Sequence, residues 1–289
     1  MIHCLENLSF TAPAALATEA HSSRSDRYSH VTTSDIVGTL ESDGWNLDQS
    51  EQAACRTEGR KAHVKHLLRF SHPDIPTVAG VRPQVVVLNS SDGSSALKLF
   101  AGLLRMACMN GILAGEDFAS MSVHHRGVNL ADQVIAHAAT LKTRIPEVID
   151  VIKEWRNTPL DAATRLDFAK AAAELRFKNA TIVNTAREMP YRIDSPAAQD
   201  LTPRFVNAQS ILDCRRYADG HENLWHVFNR VQENLIRGGV QTATLAKDDD
   251  GEPSHYKWIN SRKVTGITSN RAVNQGLWDL SSQLHTALN

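Results

Sequence analysis

Apolar residues recur at two different spacings along this chain, every second position in one part and every third or fourth in another. From Thr32 the segment TTSDIVGTLESDG predicts a short helix, with Ile36, Val37 and Leu40 on one stripe. Asp35 stands three residues after Thr32 at capping-box spacing, and Gly44 ends the run. The segments WNLDQSEQAACR and AHVKHLLRFSHPD predict strands, the second setting Val64, His66 and Leu68 against Lys65, Leu67 and Arg69 until Pro73 stops it. A third strand follows in the β-branched run QVVVLN after Pro83. Leu97, Phe100, Ala101, Leu104 and Cys108 then fall at helical spacing, which predicts an amphipathic helix over ALKLFAGLLRMACMNG, closed by Asn110 and Gly111. Between the third strand and that helix lies a polar knot, Asn89 to Ser95, in which Ser94 or Ser95 would be the N-cap.

A further strand is expected in DFASMSVHHRG. From Asn129 the spacing becomes chiefly helical: LADQVIAHAATLKTRIPEVIDVIKEW, interrupted by Pro146, and LDAATRLDFAKAAAELRF after Pro159. The stretch Met189 to Pro203 reads as a linker by its Pro, Asp and Ser content. Helical ILDCRRY and ENLWHVFNRVQENLIRGG come next, then an acidic hairpin loop, KDDDGEP, and a last helix near NRAVNQGLWDLSSQLHTAL. The stripe Leu224, Val227, Phe228, Val231 and Leu235 reads as core, with Arg230, Gln232, Glu233 and Asn234 as a polar set suited to a buried network or a subunit contact. The class expected is α+β: a mobile arm over residues 1–30, a helix, three-strand, helix sheet module over 31–128, and a mainly helical region with a C-terminal hairpin over 129–289.

Composition narrows the function classes. With 289 residues, 42% apolar and 22% charged, the chain can bury a sizeable core. A formal charge of −1 excludes a histone-like, wholly electrostatic nucleic-acid binder, so any such binding must come from a local patch. Cys4, Cys55, Cys108 and Cys214 are isolated and form no CxxC pair, which suits reduced thiols better than a zinc knuckle or a disulfide framework. The first twenty residues lack a basic, then apolar, signal pattern, and no run reaches the roughly 20 apolar residues of a membrane span. A soluble, cytoplasmic protein of a bacterial host cell is expected.

Motifs for chemistry are sparse. The knot holds one glycine, Gly93, and no lysine in register, so it does not match a P-loop, although free amides there could still meet a phosphate. His63 and His66 on a strand would face opposite sides, and the adjacent His124 and His125 likewise diverge; no metal site is expected. HExxH, GxSxG and EF-hand patterns are absent, no cofactor is implied, and no nucleophile has an identifiable base. The run Asp248, Asp249, Asp250 and Glu252 reads as a solvated loop in preference to a cation site. Charge placement is more informative. Arg56, Arg60, Lys61, Lys65, Arg69, Arg82, Lys98 and Arg105 crowd the sheet module against only Glu58, Asp74 and Asp92. Lys65 and Arg69 share one face of a strand, where they could follow successive phosphates; a solvated sheet face is the alternative.

The succession KHLLRF, VVVLNSSDGSSALKLFAGLLRMACMNG, HHRG, LWHVFNRVQENLIRGG and NRAVNQGLWDL, from about Ser29 to about Leu280, resembles the phage/plasmid-like protein family of unknown function. That resemblance implies a setting on prophages, plasmids or genomic islands and brings no catalytic residues. The order helix, three strands, helix is also similar to the core of Rad-type single-strand annealing proteins, which implies a homo-oligomer with a basic groove for one DNA strand. The leading expectation is an ATP-independent protein that binds or anneals single-stranded DNA and breaks no bond. Arg56, Lys61, Lys65, Arg69, Arg82, Lys98 and Arg105 would be its phosphate contacts. A counter-defence protein that blocks a host immune complex by protein contact is the alternative, and a metal-dependent nuclease using His124 and His125 is a third.

Overall fold

Extended, β-branched sequence dominates residues 46–113, and antiparallel pairing satisfies its backbone. The computed structural model describes residues 2–25, 28, 30–78, 80–107, 110–113, 120–122, 130–190 and 203–289. His124, His125, Arg126, Cys108 and residues 191–202 of the expected linker lie outside them. The chain forms two compact units, Met1–Asp150 with Thr265–Thr268, and Val151–Val264 with Ser269–Asn289.

The first unit opens with α1 (Ile2–Thr11) and α2 (Thr33–Ser42), followed by β1 (Asn46–Gln52), β2 (His66–Ser71), β3 (Val81–Asn89), β4 (Lys98–Arg105), β5 (Asn110–Leu113) and β6 (Ser120–Ser122). These strands make one sheet in the order β1-β2-β3-β4-β5, with β6 also on β4, and every pairing is antiparallel. Consecutive strands from β1 to β5 are therefore neighbours, which is the cheapest connectivity for short loops. The opening residues, expected as an arm, bury Leu8, Ala12, Ala14 and Ala15. Helix α2 forms where its apolar stripe predicts and buries Ile36, Val37 and Leu40. The hydroxyl of Thr32 makes no capping bond there; Thr33 is drawn instead into the core, against His66 at 2.8 Å and Asn89 at 2.9 Å.

One element reverses the expectation. The segment expected as the amphipathic helix ALKLFAGLLRMACMNG forms β4 and β5, so the knot joins strand to strand. Leu97, Leu99, Phe100, Ala101, Leu103 and Leu104 are all buried. A strand covered on both faces carries a nearly continuous apolar run, and such a run satisfies helical and alternating templates equally. Gly102 settles the matter sterically: a Cβ there would lie 2.5 Å from the Val86 side chain of the neighbouring strand. Ser94 and Ser95 accordingly cap no helix.

The second unit contains most of the helical sequence. Helix α3 (Leu130–Asn157) begins in the first unit and ends in the second, and it runs through Pro146 without a break. The expected interruption fails because the buried stripe Val134, Leu141, Ile145, Val148, Ile152 and Trp155 continues on both sides of the proline, and this burial outweighs one lost backbone bond. Then come α4 (Ala162–Arg176), β7 (Thr181–Val183), β8 (Arg204–Asn207), α5 (Leu224–Arg237), β9 (Gln241–Lys247), β10 (Pro253–Asn260) and α6 (Ile267–Leu288). A four-stranded sheet, β10-β9-β8-β7, is antiparallel except for the parallel pair β7 and β8, and KDDDGEP forms the expected hairpin turn between β9 and β10. The segment ILDCRRY forms no regular helix: short 3₁₀ turns stand at Gln209–Ile211 and Tyr217–Asp219, because Asn234 of α5 takes the carbonyls of Ile211 and Asp213 at 2.8 and 2.9 Å.

Helix α5 is buried around its whole girth. Its stripe Leu224, Val227, Phe228, Val231 and Leu235 is core, as the spacing indicates, and Phe228 stacks on Trp225 at 5.6 Å and meets Trp155 and Trp278. The polar side resolves as a buried network. Glu233 takes Arg216 at 2.7 Å, Gln232 donates to Asn274 at 3.0 Å, and Arg230 donates to Glu222 at 2.7 Å. Paired polar groups of this kind favour one arrangement, because each lost partner would strand a desolvated charge or amide, although Arg230 Nε, Asn229 Oδ1 and Asn234 Oδ1 have no hydrogen-bond partner among the described residues.

His66 offers a direct check on the first core. Burial holds its imidazole down to about 4, against the stabilising effect of its contact with the Val64 carbonyl. The unfolded chain takes up this proton near pH 6.5 and the folded chain only near 4, so stability is lost as pH falls through that window. Denaturant titrations at pH 7 and pH 4 should show about 3 kcal/mol less stability at the lower pH from this group, and His66→Gln should flatten the difference.

Candidate nucleic-acid interface

The knot is built from local side-chain bonds. Gly93 has φ +73°, a left-handed conformation for which the turn needs glycine, and the Arg24 guanidinium lies close beside it. The Asp92 carboxylate accepts from the Ser94 amide at 2.9 Å, and the Ser90 hydroxyl accepts from the Ser95 amide at 2.8 Å. The amides of Ser91 and Asp92 both donate to the His63 carbonyl at 3.0 Å. Four amides that a phosphate cradle would use are therefore already bonded, which removes that reading of the knot. Instead it acts as a junction. The His21 amide donates to the Ser91 carbonyl at 2.9 Å, Tyr28 donates to the Ser90 carbonyl at 3.0 Å, and His30 bonds the Ser91 hydroxyl at 2.9 Å.

Asp92 also reaches outward. Its second oxygen takes the Arg60 guanidinium at 3.2 Å. Burial pushes this carboxyl up, but the hydrogen bonds from Ser94 and the charge of Arg60 outweigh it and hold Asp92 below the usual carboxylate range. Beside this pair opens a cleft of about 310 Å³ within the first unit. Arg60, Lys65, Asp92 and Ser94 supply its polar wall, while Ala53, Val64 and Ile267 supply an apolar one. Thr268 closes it and accepts from Lys65 Nζ at 3.0 Å. Ile267 belongs to the same apolar cluster as Leu67, Val86, Leu88 and Phe100, so residues 265–268 are fastened to the sheet more than 150 positions away in sequence.

The seven cations expected to form one track are divided by the fold. Arg56 and Lys61 are exposed on the loop between β1 and β2, next in sequence to the cleft residues Cys55 and Arg60, and Lys65 lines the cleft itself. Glu58 approaches Lys61 only to 4.0 Å. Arg82 is half-buried and lies 3.5 Å from Asp48, the extra residue of a bulge in β1 that also accepts from Ser71 and Gln84. Lys98 is half-buried at the start of β4. Arg69 and Arg105 are buried, 6% and 5% exposed, and cannot meet a polymer at the surface; this corrects the expectation for both. The strand alternation placed Lys65 and Arg69 on one side, but it did not show that Gly102 and Gly111 leave room for the Arg69 guanidinium close against them. Arg60, Ile267 and Thr268 enter the site without having been singled out, and Ser94, expected as an N-cap, enters it as a cleft residue. Arg60 stood in the basic run, whereas residues 266–268 carry no local signal at all.

Comparison with known proteins places the chain in a family. The model of a domain of unknown function, DUF932, matches residues 20–278, and the protein belongs to that family. It is similar to two Escherichia coli (strain K12) proteins, the UPF0380 proteins YafZ and YfjQ, at 30% and 29% identity over 283 residues, covering 98% of this chain and 92% of each relative. No solved structure matches. Among the described residues, no three His, Cys, Asp or Glu side chains gather as a metal set, and no helix is long and apolar enough to cross a membrane.

The burial of Arg69 has an energetic consequence. Its Nη1 makes no hydrogen bond, and desolvation pushes the guanidinium down despite the charge of Glu51 nearby. An unpaired N–H group on a buried guanidinium opposes folding, so Arg69→Met should raise the unfolding free energy by about 1–3 kcal/mol in a denaturant titration.

Proposed function

We propose that this protein binds single-stranded DNA on behalf of a mobile genetic element, without ATP and without breaking a bond. The observation that carries the reading is the exposed basic loop, with Arg56, Arg60 and Lys61 beside the cleft that Lys65 lines. Four cations within ten residues, opposed in that loop by Glu58 and partly neutralised by Asp92, make a local positive patch on a chain of net charge −1. Such a patch attracts a flexible polyanion mainly by releasing its counterions. The mobile-element setting rests on the resemblance of LNSSDGSSAL and FNRVQENLIRGG to proteins of prophages and plasmids. Strand binding is favoured here over strand annealing, since helix α2 leads into a meander whose fourth element is a strand, where the annealing core has a helix.

Binding of a labelled single-stranded oligonucleotide, titrated at several salt concentrations, tests this. Affinity should fall as salt rises, and Arg56→Ala with Lys61→Ala should reduce the slope of log K against log salt by about 0.7 per contact removed. Equal binding by the double variant would reject the loop as the interface. Absence of salt-sensitive binding by the pure protein would end the reading and leave a protein-contact role, counter-defence, in its place. That role has its own support in Tyr217, which is fully exposed, and in the partly exposed Trp258 and Ile259 of β10.

A further inference from the structure

The exposed loop explains attraction to a polyanion, but it does not explain a walled cleft beside it. A cleft of about 310 Å³ stands at the lower end of the ~300–1,000 Å³ range of small-ligand pockets, which is room for one compact ligand and not for a run of several. Its lining is of two kinds. Ala53, Val64 and Ile267 make an aliphatic surface, of which Val64 and Ile267 are themselves held in the core at 7% and 3% exposure. The same lining also holds one ammonium, one guanidinium and two hydroxyl groups, from Lys65, Arg60, Ser94 and Thr268.

Charge selects further. Arg60 is matched by Asp92 at 3.2 Å, so the cleft carries one surplus positive charge, that of Lys65, whose contact with Thr268 is with a neutral hydroxyl. A singly charged anion matches that surplus, whereas a triphosphate would bring several uncompensated charges. A nucleotide unit joined through a phosphodiester meets both demands, with one negative charge for Lys65 and an apolar base face for the aliphatic lining.

We propose that the cleft seats one nucleotide of the bound strand, its phosphate against Lys65 and Thr268 and its base on the wall of Ala53, Val64 and Ile267. This rests on the single-strand reading above and adds a discrete base-sized subsite to it. The wall is aliphatic, so the base is gripped by apolar burial and not by aromatic stacking, and every base has a face to offer it. The Ser94 hydroxyl, at the rim, is placed to bond the edge of the seated base. Asp92 is a positioning residue in this arrangement, holding Arg60 and the knot in place.

Calorimetric titration of the full-length protein with the dinucleotide dTpdT, with its abasic analogue in which both sugars lack bases, and with inorganic phosphate tests the subsite. The proposal expects dTpdT to bind at least tenfold more tightly than either base-free ligand, and Lys65→Gln to lose at least fivefold of that affinity. A second variant, Ser94→Trp, fills the mouth from an exposed position and should abolish dTpdT binding while salt-sensitive oligonucleotide binding through Arg56 and Lys61 persists. Equal affinity for dTpdT and its abasic analogue, or no saturable binding of dTpdT, would overturn the subsite. If oligonucleotide binding persists in that case, the loop reading stands alone; if dTpdT binds and the oligonucleotide does not, the subsite stands and the polymer reading falls.

Discussion

The carboxylate of Asp92, 5% exposed, links the hairpin of β3 and β4 to the loop that carries the exposed cations. One oxygen closes the turn through the Ser94 amide, and the other holds Arg60 at the mouth of the cleft. Both bonds involve an ionised group in a partly desolvated place, where charge-assisted hydrogen bonds are strongest. The same turn presents its Ser90 and Ser91 carbonyls to the segment before α2 and receives the His63 carbonyl from the opposite side. Without this junction, the chain before α2, the loop 53–65 and the edge of the sheet would have no common anchor, and the cleft would have no fixed wall.

Burial on both faces of the sheet governs what the arginines can do. Strands β2, β3 and β4 are covered almost throughout, so a cation within them must either turn inward or find a carboxylate. Arg69 turns inward against two glycines, and Arg82 meets the bulged Asp48. Cations in the loop escape this constraint because the loop is outside the ladder. Exposed positive charge therefore concentrates where regular structure stops, and the sheet supplies rigidity to a neighbouring irregular segment. The second unit uses its buried charges differently, pairing buried Glu233 with Arg216 and buried Arg230 with the exposed Glu222 around α5, which helps fix that helix in place.

Much of this was legible from residue spacing. Strands β1, β2 and β3, helices α2, α5 and α6 and the acidic hairpin turn follow directly from alternation, stripes and breakers. Segment 97–111 was illegible for a physical reason: when both faces of a strand are buried, the alternation that marks a strand disappears, and only Gly102, poor in a helix and required by Val86, points the other way. Pro146 misled because a proline costs one bond while the stripe around it buries several side chains. The basic character of the loop was visible in the sequence, but exposure was not, since Lys65 and Arg69 look identical until the glycines opposite one of them are placed. Residues 266–268 could not be assigned to the cleft by any local pattern, because their role comes from a contact with a sheet far removed in the chain.

Hydrogen exchange of backbone amides in the full-length protein, with and without a saturating single-stranded oligonucleotide, tests most directly whether the loop and cleft are the binding face. Slowed exchange should cluster in residues 53–65, 91–95 and 265–268. Protection confined to the second unit, or no change in those three segments while the oligonucleotide is bound, would contradict that assignment.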